Sequence, residues 1–223
     1  MSSHALPHEA AREYPVHVHV EPQLRGRNRL TTAFRIFLAI PHLLLVGGPL
    51  AFFFSWSSTS QGGMRWDLGT GGALGAVAAV CAVISWFAIL FTRRHPAGLW
   101  SLSAYYLRWR VRAVAYTALL RDEYPPFGDG AYPVRLELPR PTHPRDLLTV
   151  VFRILLAVPH ILAVWVLGIG WALTTVVAWF AILFTGDYPA ALYDFGVGVL
   201  RWSTRVEAYI LLLRDEYPPF TLA

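Results

Sequence analysis

Six residues carry the pattern with most chemical content. Thr31, Arg35 and His42 return as Thr149, Arg153 and His160. Spacings of four and seven place each set on one face of a helix. Ionisable groups inside apolar runs suit an ion path, a proton relay or a lipid-headgroup pocket. They also suit a structural role. The arginines would snorkel to the cytoplasmic boundary, and each histidine would answer the carbonyl that Pro41 or Pro159 leaves without a donor. If the two sets pack together, they line a shared polar seam.

A second group is basic and aromatic. Arg108, Arg112, Arg201 and Arg205 lie on helical stretches beside Trp109 and Trp202, a pairing that suits the headgroup belt and anionic lipid. Asp122, Glu123, Asp215 and Glu216 end those stretches, where the helix dipole disfavours carboxylates. They need compensation, and the arginines at the start of the apolar runs are candidate ion-pair partners. His17 and His19 share a strand face, but two imidazoles without Cys or carboxylate company make no metal site. Cys81, the single cysteine, sits in an apolar run and reads as a small buried hydrophobe. No nucleophile elbow, phosphate-binding glycine loop or zinc signature occurs. The sequence therefore proposes no catalytic residue, metal or cofactor, and no enzyme.

These residues belong to one unit written twice. Phe34–His42 returns as Phe152–His160, 118 residues on, while Trp86–Thr92 and Arg121–Phe127 return unchanged 93 residues on. The first copy is thus longer by an insert at about 47–75. The expected layout is a flexible segment 1–12, a repeat unit 13–127 and a second unit 128–223. Each unit opens with an alternating stretch, Tyr14–Val20 and Tyr132–Leu138, that predicts a short β-strand, and the two strands are candidates to pair. Apolar runs follow at 30–54 and 72–91, then at 147–166 and 167–184. The second pair is expected to form a tight hairpin turning at Gly168-Ile169-Gly170. A third helix, 97–120 and 190–213, carries central arginines that oppose insertion. It predicts an amphipathic element lying in the membrane interface, stopped by the double proline that follows.

The fold class is therefore mainly α and integral to a membrane, with four transmembrane helices as two tandem hairpins. Of 223 residues 55% are hydrophobic and 15% charged, against about 25% charged in soluble domains, and mean hydropathy is +0.43. The formal charge of +5 would also suit nucleic acid, but the arginines flank apolar runs, which favours lipid. With the N-terminus inside, the outer loops carry Arg65 alone, and Arg25, Arg27, Arg29, Arg93, Arg94, Arg140 and Arg145 lie inside. Both termini are then cytoplasmic. No apolar leader precedes the first run, so insertion is expected to depend on that run itself.

The Tyr-Pro-Val strand, Ala-Ile/Val-Pro-His, Trp-Phe-Ala-Ile-Leu-Phe-Thr, the Leu-Arg-Trp at Leu107 and Leu200, and Tyr-Pro-Pro-Phe together resemble the DUF4389 family, once per unit. The resemblance implies a bacterial cell-membrane location and supplies no activity. The expectation is a non-enzymatic multi-pass protein that binds anionic lipid as a scaffold or accessory subunit, with a cytoplasmic platform. The alternative is a small transporter or channel component using the Arg/His seam. Membrane lipids are the expected partners, with a second copy or another membrane protein beside them.

Overall fold

The computed structural model describes residues 14–48, 55–58, 64–67, 72–142 and 145–223. The segment 1–12 and most of the insert lie outside them. The described residues form six helices and two separate two-stranded ribbons. In order these are β1 (His17–Val20), α1 (Arg29–Ala33), α2 (Arg35–Val46), β2 (Ser55–Ser58), β3 (Met64–Asp67), α3 (Gly72–Thr92), α4 (Ala97–Thr117), β4 (Val134–Glu137), α5 (Leu147–Thr185) and α6 (Ala190–Ile210).

The two alternating stretches pair as expected. β1 and β4 are antiparallel, with Val18 opposite Leu136 and His19 opposite Arg135. Val18 and Leu136 are equivalent positions of the two units, so a pseudo-twofold axis passes through this pair. A lone ribbon is marginal. Here Val16, Val18, Val134, Leu136 and Leu138 are buried in the core that α4 and α6 supply, while His17, His19, Arg135 and Glu137 face away.

The expected hairpin of the second unit is not formed. α5 runs unbroken for 39 residues through Gly168 and Gly170, and neither glycine takes a positive φ. The flanks are apolar and offer no polar turn chemistry, so continuing the helix satisfies every backbone group at the modest glycine cost of about 1 kcal/mol each. The first unit shows the same helix cut open. α2 ends at Gly47 (φ 72) and α3 begins at Gly72 (φ 69). A Cβ placed on Gly72 would lie 2.6 Å from the Leu45 carbonyl carbon, so α3 resumes where α2 stops. The insert emerges at that splice and carries the β2–β3 ribbon, with Trp56 opposite Trp66. The first apolar run is accordingly shorter than expected: α2 stops at Val46, and Phe34 separates it from α1.

α4 and α6 also depart from expectation. They are central helices, not elements lying on the surface. Ala104, Leu107, Val111 and Val114 of α4 and Val199, Leu200, Val206 and Ala208 of α6 are buried. Central arginines are tolerated because they meet carbonyl or carboxylate partners within the fold. Both helices stop before the double prolines, at leucines in the left-handed region, Leu119 (φ 63) and Leu212 (φ 61). The following amides reach back five residues, Leu120 to Ala115 at 2.9 Å and Leu213 to Ala208 at 3.0 Å, closing the last turn.

The apolar side chains of α2, α3 and α5 mostly face outward. Ile36, Leu44, Val80, Phe87, Phe91, Ile154, Leu155, Leu173 and Phe184 are all at least half exposed. Among the described residues two helices, Gly72–Thr92 and Leu147–Thr185, are long and apolar enough to cross a membrane, and each buries only 28% of its most apolar window.

Candidate functional site

The polar chemistry is gathered at the C-terminal ends of α4 and α6. A helix end leaves carbonyls without donors, and here arginines from the start of the apolar runs supply them. Arg27 donates from Nη2 to Leu119 O at 2.5 Å and to Asp122 Oδ1 at 2.8 Å. Arg35 donates to Arg121 O at 2.8 Å and to Asp122 Oδ1 at 2.6 Å. The second unit repeats the station. Arg145 donates to Leu212 O at 2.5 Å and lies 2.7 Å from Asp215 Oδ1. Arg153 donates to Tyr209 O at 2.5 Å, Arg214 O at 2.6 Å and Asp215 Oδ1 at 2.7 Å. The Arg35 and Arg153 guanidinium carbons lie 4.2 and 4.3 Å from the ring centroids of Tyr116 and Tyr209, an arrangement that favours the cation.

The carboxylates expected to need partners therefore have them. Asp122 and Asp215 each hold two arginines, while Glu123 and Glu216 hold Arg121 and Arg214 at 2.5 Å. Burial alone would raise the Asp122 carboxyl. Hydrogen bonds from Arg27 and the Asn28 N–H, with the charges of Arg27 and Arg35, outweigh it and hold the group below its usual range.

His42 and His160 each accept a hydrogen bond at Nδ1, from Trp109 Nε1 at 3.0 Å and Trp202 Nε1 at 3.2 Å. An accepting Nδ1 belongs to the neutral ring. Each imidazole lies against the Tyr-Pro-Pro-Phe turn of its own unit, stacked on Phe127 at 4.6 Å and on Phe220 at 3.9 Å. Thr31 and Thr149 turn back on their own helix starts, donating to Asn28 O and Asp146 O. The six seam residues thus close within their own units, and among the described contacts they form no seam shared between the two.

The four arginines expected at lipid headgroups are largely spent inside. Arg112 donates to Gly128 O at 2.7 Å, Arg201 to Val18 O at 3.2 Å, and Arg205 to Thr221 O at 3.3 Å and to Ala223 O. Arg108 lies 3.8 Å from Asp129. Trp109 and Trp202 are buried, because their indole N–H groups serve the histidines and not a headgroup belt.

Sequence reasoning missed two features. Arg110 and Glu207, on α4 and α6, form an enclosed ion pair at 2.7 Å. Tyr106 OH donates to Glu207 Oε1 at 3.2 Å, and Arg110 Nη1 to Val46 O at 2.7 Å. The equivalents of this pair in the other unit are Ser203 and Val114, so no repeated motif marks it. The second feature is a crevice of about 590 Å³ at the C-terminal end of α3, lined by Thr92, Arg93, Arg94, His95, Trp100, Arg140, Pro141, Thr142 and Arg145. Burial, and behind it the Arg145 and Arg140 charges, pushes His95 down to about 4. Setting Arg93-Arg94-His95 beside Gly186-Asp187-Tyr188 would have exposed this asymmetry in the sequence.

Together these features define a mainly helical protein of two fused repeats, with arginine-capped helix ends and two helices apolar enough to cross a membrane. The chain belongs to the family described as Domain of unknown function (DUF4389), which it matches over residues 70–128 and 148–221, as two tandem copies. No curated protein and no solved structure matches it.

Proposed function

We propose that this chain is a non-enzymatic multi-pass protein of the bacterial cell membrane, acting as an anionic-lipid-binding scaffold or accessory subunit. The observation that carries the reading is the outward-facing apolar surface of α2, α3 and α5. A soluble protein rarely exposes so continuous an apolar face, and a helix at the core of one would bury it. α4, α6 and the β1–β4 ribbon form a platform on the cytoplasmic side.

Both ends of α5 are bonded to the other apolar segments, its start to the end of α3 and its end to the residues before α1. Arg145 N donates to Arg93 O at 3.3 Å, and Arg27 N to Gly186 O at 2.9 Å. We read each apolar stretch as entering and leaving the bilayer by one face, with both termini inside; the arginine bias supports this reading. The 39 residues of α5 give a length of roughly 58 Å at 1.5 Å per residue, about twice the hydrocarbon thickness. On this reading α5, an unbroken helix in the structure described above, would have to bend near Gly168–Gly170 in the bilayer to make two crossings.

Alkaline carbonate extraction tests the reading, together with a reporter fused after Ala223. The protein should stay in the membrane pellet and the reporter should be shielded from outside intact cells. Release by carbonate would sink it.

A further inference from the structure

The basic crevice beside α3 is not explained by the fold. Its mouth is formed by Arg93 and Arg94, both exposed, and among the described residues neither side chain meets a carboxylate. Arg140 bonds His95 O at 3.2 Å and lies 5.9 Å from the Trp100 ring, so it is held at the wall. Arg145 is at the floor, paired with Asp215. No carboxylate lines the space. His95 Nδ1 lies 3.1 Å from Pro96 O, and Nε2 has no hydrogen-bond partner among the described residues.

The second unit shows what the fold alone demands here. The positions equivalent to Arg93, Arg94, His95 and Trp100 are Gly186, Asp187, Tyr188 and Tyr193. The local backbone is the same: Arg93 N donates to Ile89 O and Gly186 N to Ile182 O, each at 2.8 Å. Both residues are left-handed, with φ 54 and φ 81. Glycine takes that conformation at no steric cost, whereas an arginine there is strained. One unit thus uses the residue the turn prefers. The other places a cation there, at a conformational cost, and follows it with a second. Such a cluster, gathered around a concave space with no carboxylate on its lining, is organised for an external anion.

We propose that this crevice binds a phosphate group. Arg93, Arg94 and Arg140 would supply charge-assisted donors. Phe91, 84% exposed, ends the apolar face of α3 just before the crevice, which places the site at headgroup level. The ligand is then the phosphate of an anionic phospholipid or a free phosphate, and only the lipid source rests on the membrane reading above.

The test uses the purified full chain in a non-ionic detergent at physiological salt, titrated by calorimetry with dihexanoyl phosphatidic acid, dihexanoyl phosphatidylcholine and inorganic phosphate. The variant R93G/R94D carries the second unit's own residues, so it is compatible with the turn. We expect saturable binding of phosphatidic acid by the native chain and at least tenfold weaker binding by R93G/R94D, with Arg140→Gln weaker by a smaller factor. Competition by inorganic phosphate shows that the phosphate is what is recognised. Binding of inorganic phosphate without the lipid assigns a soluble source. No binding of either phosphate probe, equal binding of phosphatidylcholine, or unchanged affinity in R93G/R94D overturns the proposal. Carbonate extraction of the same variant separates the two readings: a variant that stays membrane-bound while losing phosphate affinity has lost the crevice alone.

Discussion

Arg27 Nη2 donates to the carbonyl of Leu119 at 2.5 Å, a residue held in the left-handed region at the end of α4. The same bond recurs between Arg145 and Leu212. Each arginine joins the start of an apolar run to the end of the platform helix in its own unit. Charge at the helix terminus, orphaned carbonyls and an aspartate are satisfied by one guanidinium. Apolar segments and platform are therefore one structural unit.

The Arg110–Glu207 pair is enclosed between the two units, so removing one partner strands the other without solvent. Glu207→Leu or Arg110→Met alone is expected to cost about 3–5 kcal/mol. The double variant should recover most of the loss, since an apolar pair of similar volume removes both desolvation penalties. Thermal unfolding in detergent, arranged as a double-mutant cycle, measures this coupling; additive losses would contradict it.

Arg93→Gly should raise stability by about 1 kcal/mol, because a left-handed non-glycine residue is relieved. The side chain is exposed and leaves no cavity. A higher melting temperature together with weaker phosphate binding would mark Arg93 as a residue kept at the expense of the fold. An unchanged or lower melting temperature counts against the strain argument.

Acidification should destabilise the platform. Burial works to raise Asp122, Glu123 and Glu216, yet hydrogen bonds and charges from Arg27, Arg121 and Arg214 outweigh it and hold all three below the usual range. The unfolded chain then binds protons first as pH falls, so stability present above about pH 4 is lost below it. His95 acts in the same direction at higher pH. Held down to about 4 by burial and by Arg145 and Arg140, against Asp215, it stays neutral in the fold while the unfolded ring protonates near about 6.5. Stability therefore declines gently from that pH downward and steeply near about pH 4. Asp122→Asn, followed by circular dichroism, should flatten the steep limb; an identical acid profile would refute the assignment.

The proposal that α5 crosses twice makes a local prediction. With Cys81→Ser as background, a cysteine at Ile169, 40% exposed, should label with a membrane-impermeant maleimide added outside intact cells. One at Asp194, on exposed α6 surface, should label after lysis alone. Labelling of Ile169 from the cytoplasmic side would mean that α5 dips into one leaflet and returns.

The duplicated motifs determined the repeat and much of its internal wiring. Repeated Tyr-Pro-Val stretches imply two equivalent strands with one apolar face each, candidates to pair; that they pair about Val18 and Leu136 was decided by the fold. Likewise, Asp122 and Asp215 at helix ends called for the arginines that they found, because an uncompensated carboxylate there is unfavourable in any fold. Local pattern could not say whether Gly168–Gly170 turns or continues. Glycine permits both, and the choice falls to the surroundings of the backbone. Nor could it separate an arginine facing lipid from one facing a carbonyl sixteen residues away, as between Arg112 and Gly128. Arg110 and Glu207 are ninety-seven residues apart with no repeated counterpart, and Arg93 meets Arg140 only across a crevice. Tertiary structure decided those placements, because a charge's partner is set by proximity in space, which periodicity along one helix does not encode.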